Sequence, residues 1–312
     1  MVAMTTYLID ASIYIFQAHF SPYVECQDEN GEDISALYGF AQFLLQFINR
    51  AGADHLAVAM DESLFCGFRH QLCQHYKSNR ELPDPNLARQ LVACDEFSRL
   101  LGVPTFSSRV YEADDIIGTL ARRIREATGS DITVVSRDKD LAQVLKGKGD
   151  LLWDFHANRK RDIEALTTDM GVRPDQLPDY LGLVGDAVDR ISGVPGIGPV
   201  KGRELLRCFE TLDGIYDNLP QVQSLALRGA GKLAALLEAH RDQAYLCRRL
   251  ATIVDDVHDP AEPFSVLAIE ELARNHPPAG EIQSFMKHQH MDARTRSRLS
   301  FLWNEMRDSS GG

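Results

Sequence analysis

The sequence predicts an α/β fold, with a mainly parallel central sheet that is flanked by helices and followed by an α-helical domain. Over the first 170 residues, short apolar or β-branched segments alternate with segments of helical periodicity. From about residue 172 the strand signals stop, and short helical segments separated by Gly and Pro turns follow. The 312 residues, 44% of them hydrophobic, suffice for one large core and a smaller domain.

The alternating pattern predicts the positions of individual strands and helices. Strands are predicted at residues 5–10, 55–61, 132–136 and 151–155, and helices at residues 35–50, 86–101 and 113–128. Ser35 is predicted as a helix N-cap, and Gly52, Gly102 and Gly129 each follow a predicted helix end. The predicted domains are residues 1–171 and 172–312, the second including a C-terminal extension.

Composition and charge bound the class of protein. No segment approaches the roughly 18 apolar residues of a membrane helix, and the N-terminus lacks the features of a secretory signal. The six cysteines form no CxxC pair, as expected for reduced thiols. We therefore expect a cytoplasmic monomer with no membrane partner. The net charge is −12, but it is unevenly distributed, because residues 66–80 contain no acid and residues 190–250 carry a local excess of basic residues.

Nine carboxylates carry the strongest chemical signal. Several follow the predicted strands, and the carboxyl ends of parallel strands meet at one edge of a sheet. Acids brought together there repel one another unless cations compensate them, and all-oxygen sites suit Mg²⁺ or Mn²⁺. Two such ions activate a water and stabilise the leaving oxygen of a phosphodiester. For any one acid alone, a helix cap or a solvated surface position is the competing interpretation. The candidate metal ligands are Asp10, Asp61, Glu112, Asp114, Asp115, Asp138, Asp140, Asp186 and Asp189.

A glycine-rich turn, SGVPGIGPVK, precedes a predicted helix at residues 192–201. Its glycines allow close backbone approach to a ligand, and amides at the next helix N-terminus can hold a phosphate. This predicts DNA-backbone binding without base readout by Gly193, Gly196, Gly198 and Lys201. Such a turn would also hold a monovalent ion such as K⁺. The alternative is an ordinary glycine-rich turn between two helices.

A basic segment follows Asp61 at residues 66–80. Cations beside a metal site bind a transferring phosphate, so Lys77 and Arg80 are predicted to be catalytic. Arg69 is predicted to contact DNA, and Tyr76 to stack on a base. The alternative is a solvated surface helix.

These motifs resemble the 5′ nuclease family, which includes flap endonucleases and the N-terminal domain of bacterial DNA polymerase I. The resemblance covers residues 5–290 and rests on YLIDAS, AMDES, FRHQLCQHYKSNR, YEADDIIGTLA, VVSRDKDLAQ and GDAVDRISGVPGIGPVKGRELL. It implies a PIN-like nuclease core, a helix-three-turn-helix domain and a helical arch within residues 64–95. The family's metal acids carry over onto the nine carboxylates above, and its basic residues near the scissile phosphate onto Lys77 and Arg80.

The resemblance also implies an activity. We expect a stand-alone 5′-3′ exonuclease and flap endonuclease that acts on 5′ flaps, nicks and free 5′ ends by a two-metal mechanism in replication or repair, with a DNA polymerase as a potential partner. A PIN-type ribonuclease and a catalytically weak branched-DNA-binding relative are the alternatives. The chain departs from the family pattern at Gln17, Arg137, Arg190 and Ser192, none of which removes a carboxylate.

Overall fold

The computed structural model describes residues 5–63, 65–261, 264, 268–275 and 279–310. Its centre is a sheet with the strand order β3-β2-β1-β4-β5-β6, in which β1 to β5 run parallel and β6 is antiparallel. The strands are β1 Thr6–Asp10, β2 Leu56–Ala59, β3 Thr105–Phe106, β4 Ile132–Val135, β5 Leu151–Asp154 and β6 Arg159–Arg161.

Helices cover both faces of this sheet because successive strand residues point to opposite sides. Leu8 packs with helix α5 on one face, and Ile9 packs with helices α1, α2 and α4 on the other. The helices of this layer are α1 Ala11–His19, α2 Ser35–Ala51, α3 Phe68–Leu72, α4 Pro85–Leu100, α5 Ala113–Thr128 and α6 Ile163–Met170.

The second domain is helical and has a core of its own, built from residues such as Leu181, Leu205 and Leu237. Its helices are α7 Leu177–Val184, α8 Pro199–Phe209, α9 Leu212–Asp217, α10 Leu219–Val222, α11 Ala230–Ala239 and α12 Arg241–Ala251. Helix α12 packs against α7. Among the described residues, no helix combines the length and the hydrophobicity that a membrane-spanning segment requires.

The last two helices, α13 Ala279–His288 and α14 Ala293–Ser310, pack back onto the first domain. Met286, Leu299 and Trp303 are buried in the same core as α2 and α4. The sequence analysis placed these residues in one segment with the second domain. The structure corrects that grouping, because their apolar side chains bury surface against the sheet layer.

Local signals located the main elements well. Each predicted strand and helix is present, with its ends within two residues of the predicted bounds. The prediction that Ser35 is the N-cap of α2 is wrong. Ser35 is the first residue of the helix, and its hydroxyl donates to Asp33 Oδ1 at 2.5 Å instead of capping the helix. The sequence analysis missed α6, which has eight residues, and it also missed α1, β3 and β6. Helix α1 follows β1 without a turn, β3 has two residues and β6 is the basic segment RKR, so none has a clear local pattern.

The helical arch within residues 64–95 stays a prediction, and residue 64 itself lies outside the described residues. Between residues 65 and 84 the described helix is the five-residue α3. Helix α4 begins at Pro85, where the Asp84 side chain accepts hydrogen bonds from the amides of Asn86 and Leu87. It packs Phe97 and Cys94 into the core.

The packing of α14 generates a stability prediction. Leu299 is fully buried, so Leu299→Ala should lower the free energy of unfolding by about 2–5 kcal/mol. The matched control on the same helix is Phe301→Ala, because Phe301 is 61% exposed and its loss should change stability by less than about 0.5 kcal/mol. Urea unfolding of both variants measures the difference. Equal stabilities would show that α14 does not contribute to this core.

Candidate functional site

The parallel strands deliver carboxylates to one edge of the sheet. Asp10 is the last residue of β1, Asp61 follows the end of β2 by two residues, and Asp138 follows the end of β4 by three. Ser136 orders this edge, since its hydroxyl donates to Asp10 Oδ2 at 2.9 Å and accepts the Asp138 amide at 3.0 Å. Asp138 Oδ1 in turn accepts the Asp140 amide at 2.9 Å.

Two other elements add acids to this edge. Glu112 and Asp114 lie at the N-terminus of α5, where negative charge interacts favourably with the helix dipole. Asp186 and Asp189 lie in the loop after α7, between the two domains. Asp186 Oδ1 accepts the Val188 amide at 2.7 Å, which shapes that loop.

The pKa shifts show that the negative charge of some carboxylates in this cluster is not compensated by cations of the chain. Burial, together with the charges of Asp138 and Asp61, raises the pKa of Asp10 to about 7. Burial also raises the pKa of Asp140 to about 7, with Asp138 the next contribution. The pKa of Asp114 lies well above its ordinary value, first through burial and then through Asp138 and Asp10. These carboxyl groups therefore feel one another's charge, and ionising all of them costs free energy.

Another part of the cluster is neutralised by the basic segment. Lys77 Nζ lies 2.9 Å from Glu112 Oε1 and 3.6 Å from Asp189 Oδ2, and Arg80 Nη2 lies 3.0 Å from Asp189 Oδ1. Burial lowers the pKa of Lys77, but Glu112, Tyr76 and Asp189 together outweigh burial and hold the pKa well above its usual range. Lys77 adopts a left-handed backbone with φ 48°. This conformation is uncommon for a residue with a side chain.

The structure corrects the predicted DNA contacts of Arg69 and Tyr76. Both side chains are buried, with exposures of 3% and 2%. The Tyr76 hydroxyl donates to Glu112 Oε2 at 3.0 Å, and the Arg69 guanidinium forms a bidentate pair with Asp115. Neither side chain is free to stack on a base or to bind a phosphate. Asp115 likewise differs from the other acids, because it is fully buried and already paired.

The carboxylate oxygens of this cluster have the chemistry that a divalent cation requires. In the described part of the chain, no three His, Cys, Asp or Glu side chains are already grouped as a finished metal site. The carboxylate oxygens around Asp10, Asp114, Asp138 and Asp140 are nevertheless of the type that Mg²⁺ and Mn²⁺ prefer. Asp140 Oδ1 is buried without a hydrogen-bond partner, and the mutual repulsion described above would be relieved by positive charge. These residues fit a hard divalent cation.

The glycine-rich turn lies between α7 and α8, and its glycines have different roles. Gly193 has φ 63°, and a Cβ there would collide with the backbone of Val184 and Gly185. Gly196 also needs its left-handed φ of 80°. Gly198 precedes α8 and faces open space, so it can be approached closely. The amino group of Lys201 donates to the Gly196 carbonyl at 2.8 Å and therefore folds back onto the turn.

The residues that depart from the family pattern have local partners. Arg137 Nε lies 3.3 Å from Asp154 Oδ2, and Gln17 Oε1 lies 3.0 Å from His156 Nδ1. Arg190 adopts a left-handed φ of 57°, and Ser192 accepts from Gln243 at 3.4 Å.

The sequence analysis missed two serines that orient acids. Besides Ser136, the Ser63 hydroxyl donates to Asp61 Oδ1 at 2.9 Å. A serine two residues from an aspartate is the signal that would have indicated both.

Comparison with known proteins identifies related chains. Residues 5–171 match the family model for the 5′-3′ exonuclease N-terminal resolvase-like domain, and residues 172–275 match that for the 5′-3′ exonuclease C-terminal SAM fold. The chain is 34% identical over 272 residues to DNA polymerase I of Bacillus caldotenax, covering 85% of this chain and 29% of that protein. It is 32% identical over 260 residues to DNA polymerase I of Caldicellulosiruptor bescii, covering 81% of this chain and 29% of that protein.

Solved structures share the fold. T5 5′-exonuclease with bound zinc superposes with a TM-score of 0.64 at 17% identity, covering 97% of this chain and 99% of the other. The catalytic core of Rad2 in complex with DNA substrate gives a TM-score of 0.60 at 16% identity, covering 94% and 90% of the two chains. The mostly parallel sheet with a PIN-like resolvase domain and a SAM-like helical domain is thus a flap-nuclease fold.

The uncompensated acids generate a prediction that needs no substrate. At a pH where the carboxyl groups are ionised, Asp140→Asn should raise the stability of the metal-free protein by on the order of 1 kcal/mol, because it removes one repelling charge. It should also reduce the stabilisation that excess Mg²⁺ confers on the wild type. Thermal unfolding with and without Mg²⁺ measures both effects. Glu25→Gln, at an exposed loop position, is the control and should change neither. A destabilised Asp140→Asn with an unchanged Mg²⁺ effect would contradict the cation assignment.

Proposed function

Because the chain belongs to the 5′-3′ exonuclease family, we propose that it hydrolyses DNA phosphodiester bonds as a 5′-3′ exonuclease and flap endonuclease. The observation that carries the proposal is the uncompensated carboxylate cluster around Asp10, Asp114 and Asp140, placed at the edge of the sheet beside the second domain. Phosphodiester hydrolysis needs positive charge at such a site, and the donor chemistry there suits two or more hard divalent cations.

The residues that would hold the cations are those with unused oxygens. We assign this role to Asp10, Asp114, Asp138 and Asp140, with Asp61, Glu112, Asp186 and Asp189 at the margin of the cluster. Mg²⁺ or Mn²⁺ bound there would supply an activated water and stabilise the leaving oxygen. Glu112 and Asp189 are paired with Lys77 and Arg80, so their negative charge is shared between the chain's own cations and any bound ion.

Lys77 and Arg80 are proposed to stabilise the reacting phosphate. Their positive charges are held beside the acids at 2.9 and 3.0 Å, so they need little reorganisation to meet a phosphoryl oxygen near the same carboxylates. A preorganised cation stabilises the charge that develops in the transition state more than it stabilises the ground state. Arg80 is the more accessible of the two, with a side chain 42% exposed.

The glycine-rich turn is proposed to bind the DNA backbone without reading its sequence. Gly198 is open to close approach, and the first amides of α8 can face a phosphate. The exposed Val200 beside it would lie against the sugar edge. Carbonyls of this turn, with Gly193 and Gly196, would hold a K⁺ ion, and Lys201 supplies a positive charge nearby.

The relatives indicate a biological setting. The chain spans about 29% of the length of the two curated DNA polymerase I relatives. A T5 flap endonuclease structure contains DNA and metal ions, and Rad2 structures contain DNA substrate. We propose DNA with 5′ flaps, nicks or free 5′ ends as substrate, a role in replication or repair, and a DNA polymerase as a partner. The six cysteines are free thiols, which fits a cytoplasmic setting.

A substrate panel tests the proposed reaction. We expect Mg²⁺-dependent cleavage of a 5′-flap and a nicked DNA duplex, and much weaker cleavage of a matched RNA flap. Asp138→Asn should lower single-turnover cleavage by about 10³-fold or more, since it removes a charge that acts on three neighbouring acids, while DNA binding is retained. Glu25→Gln is the control at an exposed position. Preferential cleavage of RNA would favour the ribonuclease alternative, and binding without any cleavage would favour the inactive relative.

A second experiment separates catalysis by Lys77 from simple tethering. Lys77→Met keeps the aliphatic stem but removes the charge, and it should lower cleavage at saturating enzyme by about 10²–10³-fold with a much smaller change in DNA affinity. Lys287→Met, at an exposed position of α13, is the matched control and should cleave normally. A wild-type rate for Lys77→Met at saturation would assign Lys77 to tethering alone.

A further inference from the structure

Asp115 uses its oxygens differently from the other acids of the cluster. Its side chain accepts hydrogen bonds from Arg69 Nη1 at 2.6 Å, from Arg69 Nη2 at 2.7 Å, from the Val254 amide at 2.8 Å and from the Glu112 amide at 3.1 Å. A carboxylate offers about four acceptor sites, so none remains for a cation. Asp140, by contrast, keeps one buried oxygen without a partner.

Arg69 is equally committed. Its Nη1 also lies 3.4 Å from Glu112 Oε2, and its remaining hydrogen bonds reach the second domain. Its Nε donates to the Leu250 carbonyl at 2.9 Å, and its Nη2 donates to the Thr252 carbonyl at 2.7 Å. These carbonyls lie at the C-terminal end of α12, where a cation complements the helix dipole and satisfies groups that lack helical partners. Arg69 and Asp115 together therefore form hydrogen bonds with two carbonyls and one amide of residues 250–254.

The first domain supports the same segment at two further points. Gln143 Nε2 donates to the Ala251 carbonyl at 3.0 Å, and Gln143 Oε1 accepts the Ile253 amide at 3.1 Å. Helix α5 approaches closely, since a Cβ at Gly118 would lie 2.8 Å from Ile253 Cγ2. The end of α12 is thus fastened to the element that carries Glu112 and Asp114.

Helix α12 connects this fastening to the glycine-rich turn. It packs against α7, where a Cβ at Gly182 would lie 3.0 Å from the Ala244 carbonyl. Gln243, near the start of α12, donates to the Gly193 carbonyl at 2.6 Å. A continuous set of contacts therefore runs from the acids through Arg69 and α12 to the turn.

We propose that Asp115 is not a cation ligand, and that the buried Arg69–Asp115 pair is a positioning device that fixes the glycine-rich turn relative to the carboxylate cluster. The proposal rests on the proposed function, in which the turn holds the duplex while the acids cleave it. The distance between the glycine-rich turn and the carboxylate cluster then determines which phosphodiester is cut. Recruiting Asp115 to a cation would leave a buried guanidinium without its partner, which is strongly unfavourable.

The test compares Asp115→Asn and Arg69→Met with Asp138→Asn. For the first two variants we expect single-turnover cleavage of a 5′-flap substrate to fall about tenfold or more and the cuts to spread over neighbouring phosphodiesters, whereas Mn²⁺ affinity stays within about threefold of the wild type. Asp138→Asn should lose Mn²⁺ affinity by about tenfold or more. A comparable Mn²⁺ loss in Asp115→Asn, with unchanged or tighter Mn²⁺ binding in Arg69→Met, would overturn the proposal and make Asp115 a ligand.

Two further variants separate positioning from general loss of stability. Arg125→Met breaks another Arg–Asp pair of the first domain, in which Asp150 is buried and Arg125 half-buried, but the hydrogen bonds of Arg125 do not reach residues 250–254. It should leave the cut position unchanged. The double variant Arg69→Met/Asp115→Leu leaves no buried charge unpaired and should fold where a single variant fails. A sharp, wild-type cut position in the double variant would also overturn the proposal.

A readout without metal or DNA keeps this inference distinct from the proposed function. Amide hydrogen exchange at residues 250–254 should accelerate about tenfold or more in Arg69→Met and remain unchanged in Arg125→Met. If the wild type neither cleaves DNA nor binds Mn²⁺, the proposed function fails, whereas this exchange difference would still support the fastening. Unchanged exchange in Arg69→Met would reject the fastening itself.

Discussion

Repulsion between carboxylates is the constraint on which this structure depends. Parallel strands direct their carboxyl ends to one edge, so the backbone topology brings Asp10, Asp61 and Asp138 together in spite of their like charges. Burial then makes ionisation still less favourable, as the raised pKa values of Asp10 and Asp140 show. A fold with this arrangement must supply positive charge, either from its own side chains or from bound ions.

The chain supplies part of that charge from the segment between β2 and α4. Its three cations enter the site from one direction: Arg69 pairs with Asp115, Lys77 with Glu112 and Arg80 with Asp189. These three ion pairs hold the segment against the acids. The acids left without a cation from the chain are the ones whose pKa values are raised most, and they define where external cations would be most strongly attracted.

The two domains share one site because residues from each complete it. Asp189 belongs to the loop after α7, yet its carboxylate receives Lys77 and Arg80 from the first domain. The end of α12 is held by Arg69 and Gln143. Helices α13 and α14 lie beyond the residues that the family models match, and they return to the sheet layer to close its core. The chain therefore crosses between the domains twice, which restricts their relative movement.

Local pattern determined much of this protein from its sequence. The main strands and helices follow from apolar periodicity and glycine stops, and the rule that parallel strands end at one edge was enough to predict that distant acids would meet. The turn containing Gly193 and Gly196 was visible because only glycine accommodates its backbone without strain.

Only the tertiary structure decided which of these residues are free to act. Arg69 and Tyr76 belong to a basic segment that reads as a DNA-contact surface, yet both are buried against acids 35 or more residues away in the chain. Asp115 cannot be told from Asp114 by spacing, although one is saturated by Arg69 and the Val254 amide and the other is surrounded by like charge. Sequence spacing records which groups a segment carries. The partners that saturate, neutralise or bury those groups come from distant segments, and only folding brings them into contact.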